Sequence, residues 1–209
     1  MLRRGRHRVI RRLPKQRKRR VKEELETMAD KLSRRELFNI FRRSAEAVKG
    51  PPLPLRPPSA GLEKSIAESC MHCGACVEAC PRQAIKPLGP EYGDRAGTPH
   101  IVAAEAPCVL CEGLKCTTVC PSGTLKPLRR ATEVAMGVAI VARGRCLPWT
   151  EEMPCIICHE RCPIVGAIRL DEHKRPSVTS ACTGCGMCEY YCPTEPAAIR
   201  IRPRNATQG

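Results

Sequence analysis

Apolar residues in this chain fall in short clusters, not long runs. The longest uninterrupted stretch, which includes residues 135–142, reads as a buried strand and is far short of the roughly 20 apolar residues needed to span a bilayer. From residue 61 onward the clusters repeat one local grammar. A Cys-Pro pair is followed by a short turn and a small apolar strand. Cys80-Pro81 leads to Ala84-Ile85-Lys86, Cys120-Pro121 to Thr124-Leu125-Lys126, Cys162-Pro163 to Ala167-Ile168-Arg169, and Cys192-Pro193 to Ala198-Ile199-Arg200. Four copies of such a unit point to an internally repeated domain over residues 61–209. Before it, residues 28–49 read as a short amphipathic helix ended by prolines. Residues 51–58 (Pro-Pro-Leu-Pro-Leu-Arg-Pro-Pro) read as a stiff polyproline-like linker, completing a segment 28–60. Residues 1–27 read as a basic, disordered arm. The expected fold class is α+β, with a mostly irregular or helical N-terminal arm.

Composition sharpens this picture. Aromatic residues make up only 3% of the chain, so large side chains contribute little apolar burial, which stabilises by only about 25 cal/mol per Å². The 16 cysteines among 209 residues suggest what else stabilises the fold, because metal binding free energy can act as folding free energy. The net charge of +15 is concentrated at one end. Residues 1–50 hold 18 Lys/Arg against 6 Asp/Glu, and the remainder holds 18 against 15. No aromatic residue interleaves the basic runs of residues 1–27, so there is no stacking platform for bases and nucleic acid is not expected as a partner. Met28 opens a run that reads as a start in its own right. Ser33-Arg34-Arg35-Glu36-Leu37-Phe38 resembles the twin-arginine export motif, which is normally followed by about 7–15 apolar residues. Here Arg42, Arg43, Glu46 and Lys49 interrupt that stretch. The reading therefore favours the cytoplasm, with twin-arginine export to the periplasm as the alternative.

The cysteines form four quartets, spanning 70–80, 108–120, 146–162 and 182–192. Cys70, Cys73, Cys76 and Cys80, then Pro81, and Cys182, Cys185, Cys188 and Cys192, then Pro193, both spell C-x-x-C-x-x-C-x-x-x-C-P. This is the bacterial ferredoxin run, in which three thiolates hold one [4Fe–4S] cubane and the fourth ligates a neighbouring one. A thiolate at every third residue lets a loop curl round three corners of a cube. Gly74-Ala75, Gly184 and Gly186 are expected to let backbone amides approach the sulfurs. Cys108, Cys111, Cys116 and Cys120 repeat the run with two residues added in the second gap. Cys146, Cys155, Cys158 and Cys162 repeat it with residues 147–154 filling the first gap. Zinc sites typically pair two CxxC motifs across a finger-length spacer, and a disulfide framework has no need of four similar quartets each followed by proline. All sixteen cysteines are therefore expected to be cluster ligands, for four [4Fe–4S] clusters. His72 and His159 lie inside quartets that are already complete and are expected to be exposed or to back the ligands. His7, His100 and His173 are isolated. No phosphate loop, GxGxxG or flavin signature accompanies the cysteines, so the chain reads as a non-catalytic electron-transfer subunit.

Residues 66–202 resemble the NapG/MauM group of ferredoxin-type proteins, which accompany periplasmic nitrate reductase and methylamine utilisation systems. The resemblance lies in Gly97-Thr98-Pro99-His100-Ile101-Val102, the stretch from Pro107-Cys108 to Cys120-Pro121-Ser122-Gly123, Met136-Gly137-Val138-Ala139, and Ala181-Cys182-Thr183-Gly184-Cys185-Gly186. The irregular gaps of the second and third quartets match that group. The resemblance implies four [4Fe–4S] clusters and an accessory subunit of an oxidoreductase system, of nitrate-reductase or quinol-dehydrogenase type. Its partner would be a membrane quinol-oxidising subunit or a soluble reductase. The N-terminus looks more like the cytoplasmic relative NapF, which brings in a maturation factor for a redox enzyme as the alternative function. Two ferredoxin-like units, each around two cubanes, are expected. The two regular quartets match each other best, which predicts nesting. Cys70, Cys73 and Cys76 would then share a cluster with Cys192, and Cys182, Cys185 and Cys188 one with Cys80. Cys108, Cys111 and Cys116 would join Cys162, and Cys146, Cys155 and Cys158 would join Cys120. Sequential pairing, first with second and third with fourth, is the alternative.

Overall fold

The computed structural model describes residues 52–204, which include all sixteen cysteines. The expected basic arm, the helix of residues 28–49 and the twin-arginine-like motif lie outside the described residues. Secondary structure is brief, as expected for a chain whose turns are set by cysteine and proline. The main elements are α1 (Glu63–Ser69), α2 (Ala75–Glu78), β1 (Ile85–Pro87), β2 (Pro99–Ile101), α3 (Lys115–Thr118), β3 (Gly137–Val141), α4 (Leu147–Thr150), α5 (Ile157–Glu160), β4 (Ile168–Leu170), β5 (Pro176–Val178), α6 (Met187–Tyr190) and β6 (Ile199–Pro203). The mixture of helix and strand agrees with the α+β expectation.

The strands form three two-stranded antiparallel sheets. β1 pairs with β2 with Lys86 opposite His100, and β4 with β5 with Arg169 opposite Ser177. β3 pairs with β6 with Ala139 opposite Ile201. Three of the four expected post-proline strands are thus β1, β4 and β6. The second, Thr124-Leu125-Lys126, forms only a single bridge between Leu125 and Ala60. The strand expected over residues 135–142 is present as β3, but it is only half covered. Gly137 and Ala139 face inward, while Ile140 remains 43% exposed, following the period-2 alternation of a strand with one solvated face.

Two apolar cores result, and cysteines belong to both. The first gathers Leu55, Ile85, Ile101, Leu114, Leu125, Val134 and Met136 with Cys116 and Cys185. The second gathers Ala139, Ala167, Ile168 and Ile199 with Cys158, Cys182 and Cys188. In each half the two short cysteine-bearing helices pack on one another, α2 on α3 and α5 on α6.

Part of the stretch expected to be a stiff linker packs into the first half. Residues 54–58 are all buried, and Leu55 bridges to Ile101 of β2. Arg56 explains the docking. Its guanidinium donates to both Glu63 carboxylate oxygens of α1 at 2.7 and 2.6 Å, to Thr98 Oγ1 at 2.9 Å and to the Pro99 carbonyl at 2.8 Å. Prolines carry no N–H that burial would strand, so they can flank this charge inside the fold. Among the described residues, no helix is long and apolar enough to cross a membrane.

Candidate metal centres

Each of the four runs closes the same way. A four-residue helix carries the third cysteine: Cys76 in α2, Cys116 in α3, Cys158 in α5 and Cys188 in α6. The fourth cysteine follows the helix, and the proline after it turns the chain away. In three runs that turn brings a backbone N–H onto the fourth sulfur. Ala84 donates to Cys80 Sγ at 3.3 Å, Leu125 to Cys120 Sγ at 3.5 Å and Ala198 to Cys192 Sγ at 3.3 Å. Ala139 of β3 donates to Cys182 Sγ at 3.4 Å. Loop amides act on the sulfurs as well, the Leu110 N–H on Cys108 and the Met187 N–H, beside Gly186, on Cys185.

Twelve of the sixteen thiols line three hollows and the other four lie together, and none is tied up in a disulfide. Cys70, Cys73, Cys76 and Cys120 line an open cavity of about 270 Å³. Cys80, Cys108, Cys111 and Cys116 line a tight one of about 20 Å³, and Cys146, Cys155, Cys158 and Cys192 another of about 20 Å³. Cys162, Cys182, Cys185 and Cys188 face one another in the most buried part of the second half. The expected nesting is overturned. Cys80 lies with Cys108, not with Cys182, and Cys192 lies with Cys146, not with Cys70. Each triplet takes its fourth thiol from the run beside it in sequence, because α2 packs on α3 and α5 on α6. Similarity between two runs therefore does not indicate which of them are neighbours.

Burial sets the chemistry of these thiols. Desolvation, reinforced by neighbouring cysteines, pushes Cys108, Cys116 and Cys158 up to about 12 and Cys76 to about 11, and it raises Cys188 as well. Burial also acts on Cys120 and Cys192, but hydrogen bonds outweigh it and hold both below the ordinary value. Cys120 is held by the Leu125 N–H and the Ser122 hydroxyl, and Cys192 by the Thr194 hydroxyl and N–H. Clustered thiols that resist ionisation alone suit a cationic inorganic core, which takes thiolates and returns protons to solvent. Among the described residues, no three His, Cys, Asp or Glu side chains gather closely enough for a single metal ion. One more group fits a cluster. Thr183, 3% exposed between Cys182 and Cys185, sets its hydroxyl beside the Cys185 thiol and has no other partner. Nothing in the spacing of the cysteines singled out this hydroxyl or those of Ser122 and Thr194. A hydroxyl residue one or two positions from a ligand is the signal that could have found them.

The two histidines inside quartets are exposed, as expected. His72 lies along Gly97 at the rim of the open cavity, and His159 Nδ1 is 2.7 Å from the Ile168 carbonyl. Cys73 is the one exposed cysteine of the sixteen.

Residues 69–124 match the 4Fe-4S dicluster domain family, and residues 179–195 match the 4Fe-4S binding domain family. The chain is 39% identical over 169 residues to the ferredoxin-type protein NapG of Escherichia coli (strain K12), covering 74% of this chain and 73% of that protein. It is 40% identical over 166 residues to the methylamine utilization ferredoxin-type protein MauM of Methylophilus methylotrophus, covering 74% and 73%. The ferredoxin-type protein NapF of Escherichia coli (strain K12) is more distant, at 27% over 143 residues. No solved structure matches. With its cysteine runs, its thiol-lined hollows and this similarity to NapG and MauM, the chain belongs to the NapG/MauM family of ferredoxin-type iron–sulfur electron-transfer proteins.

Proposed function

We propose that the chain holds four [4Fe–4S] clusters and passes single electrons along them as an accessory subunit of an oxidoreductase. The observation that carries this reading is the assembly of each thiol group from three cysteines of one run and one of its neighbour, which is the ligation scheme of two-cluster ferredoxins. The ligand sets are Cys70, Cys73, Cys76 and Cys120; Cys80, Cys108, Cys111 and Cys116; Cys162, Cys182, Cys185 and Cys188; and Cys146, Cys155, Cys158 and Cys192. On this reading the domain is two ferredoxin-like units in tandem, and it begins at the buried residues 54–58, not at residue 61. The bound clusters would supply reversible one-electron chemistry. The protein's own residues hold them, exclude water and tune them with N–H groups and hydroxyls on the sulfurs.

The open hollow is the port for a redox partner. There Cys73 and Met71, the latter 66% exposed, bring a ligand and an apolar contact to the surface. The other hollows are more enclosed. A redox protein is the partner, in line with the ferredoxin-type names of the relatives, and a membrane quinol-oxidising subunit or a soluble reductase is the class proposed. Charges interrupt the apolar stretch after Arg34-Arg35, which supports the cytoplasm as the compartment; fractionation of producing cells tests this. The deciding measurement is iron and acid-labile sulfide in anaerobically purified full-length protein. About 16 of each per chain are expected, with absorbance bleached by dithionite. Half that content would leave two hollows without clusters and refute the four-cluster reading.

A further inference from the structure

Gly74 and Gly186 both follow the second cysteine of their run, and both have left-handed backbone, with φ of 75° and 88°. That conformation alone accounts for a glycine at each. Their surroundings differ. A Cβ at Gly74 would meet nothing within 4 Å. One at Gly186 would stand 2.5 Å from the Ala103 Cβ and 3.6 Å from the Pro107 Cβ. At Gly186 the missing side chain is therefore also what permits close approach. The approaching segment leads directly into the second cysteine run. Ala103 and Pro107 are buried, and the Cys108 N–H donates to the Cys185 carbonyl at 2.9 Å. Cys108 lines a hollow of the first half, and Cys185 belongs to the buried thiol group of the second. Among the described residues, no other hydrogen bond joins cysteines of different halves. Cys185 is also a member of the first half's apolar core, and residues 182–186 are buried without a break.

We infer that an electron crosses between the two halves at the Cys108–Cys185 contact, and that Gly186, seated on Ala103, is the positioning residue that sets the crossing distance. The inference rests on the four-cluster reading. One electron leaves the cluster held through Cys108, which is oxidised, and enters the cluster held through Cys185, which is reduced, or the reverse. No proton moves and no bond breaks, and one-electron redox proteins at the ends supply and remove the electron. Tunnelling falls off exponentially with separation and is favoured along bonded and hydrogen-bonded paths over gaps. A side chain at position 186 would push its neighbour from 2.5 Å toward ordinary contact at about 3.5–4.0 Å and open the path.

The test uses anaerobically purified full-length protein and the Gly186→Ala variant. Iron content is measured first, so that coupling is compared only between iron-replete proteins. Spin–spin broadening between the clusters flanking the contact should weaken in the low-temperature EPR spectrum of the reduced protein. Electron equilibration between halves after pulsed reduction should slow severalfold. Adding Ala103→Gly removes the opposing Cβ and is expected to restore both readouts. Gly166→Ala has the same left-handed strain, φ 75°, but open space around it, and should change neither. Ala103→Val presses on the contact from outside the cysteine loop and carries the test if Gly186→Ala loses iron. Unchanged coupling and unchanged rate in an iron-replete variant would overturn the inference. A wild-type protein with fewer than four clusters would instead overturn the reading beneath it, and iron analysis reveals that before any coupling is measured.

Discussion

Thr183 is a small residue with a large electrostatic opportunity. Its buried hydroxyl sits beside the Cys185 thiol with no other partner, so in the loaded protein it can donate to a ligand sulfur. Such a bond stabilises the more negative, reduced state of a cluster and raises its potential. Replacing Thr183 with Val keeps the shape and removes the donor. The midpoint potential of one cluster is expected to fall by on the order of 50 mV, the equivalent of about 1 kcal/mol for a one-electron couple, as read by EPR-monitored redox titration. An unchanged potential would mean the hydroxyl points elsewhere once the cluster is bound. At this scale the cysteines were legible in the sequence because ligand chemistry demands their type and spacing. The hydroxyls and the glycine contact were not. A threonine beside a ligand looks like any other threonine until burial removes its alternatives. Gly74 and Gly186 occupy the same motif position, yet only one of them faces another part of the chain.

The short helices and strands are held less by their own propensities than by what they carry. α2, α3, α5 and α6 are each four residues long, too short to stand alone, and each is fixed by a cysteine in its middle and another just beyond its end. The post-proline strands were legible from their repeated Cys-Pro grammar. Thr124-Leu125-Lys126 obeyed that grammar but found only Ala60 as a partner, since strand pairing depends on what lies opposite. Residues 51–58 were read as a stiff linker, and the docking of residues 54–58 was missed for a related reason. Proline-rich composition describes stiffness and says nothing about docking, and Arg56 is what docks this segment. Its ion pair with Glu63 is buried, with side-chain exposures of 4% and 16%. Removing the guanidinium takes four hydrogen bonds from the site, two of them to the Glu63 carboxylate. Arg95, 3.7 Å from Glu63, would compensate only in part. Arg56→Ala is expected to cost about 3 kcal/mol in chemical denaturation of the loaded protein, the lower end of the range for breaking a buried pair. A loss within experimental error would show that the proline segment can detach without consequence.

Across the whole molecule, stability and cofactor are linked through protons. In the cluster-free chain, burial raises most of the resolved thiols from the ordinary 9.0, several of them to about 12, while Cys120 and Cys192 shift the other way. A raised thiol stays protonated in the fold after the unfolded chain has begun to ionise. Its contribution is therefore complete below pH 9 and is lost as pH climbs toward 12. Urea midpoints of the cluster-free protein should fall across that window. In the loaded protein the same sulfurs are metal-bound thiolates, and the fall should be absent; parallel curves for the two forms would contradict this linkage. The general architecture was legible from the quartets, but their partnership was not, because sequence similarity ranks resemblance and helix packing determines adjacency. Sequential partnership bears on biogenesis. Both hollows of the first half own all their thiols by Cys120, before the third run begins. A growing polypeptide can therefore complete and metallate its leading half while the ribosome is still making the trailing one, as N-terminal folding units do. A ribosome-arrested chain long enough to carry Met136 clear of the exit tunnel should already hold iron for about two clusters. An iron-free arrested chain would place metallation after release.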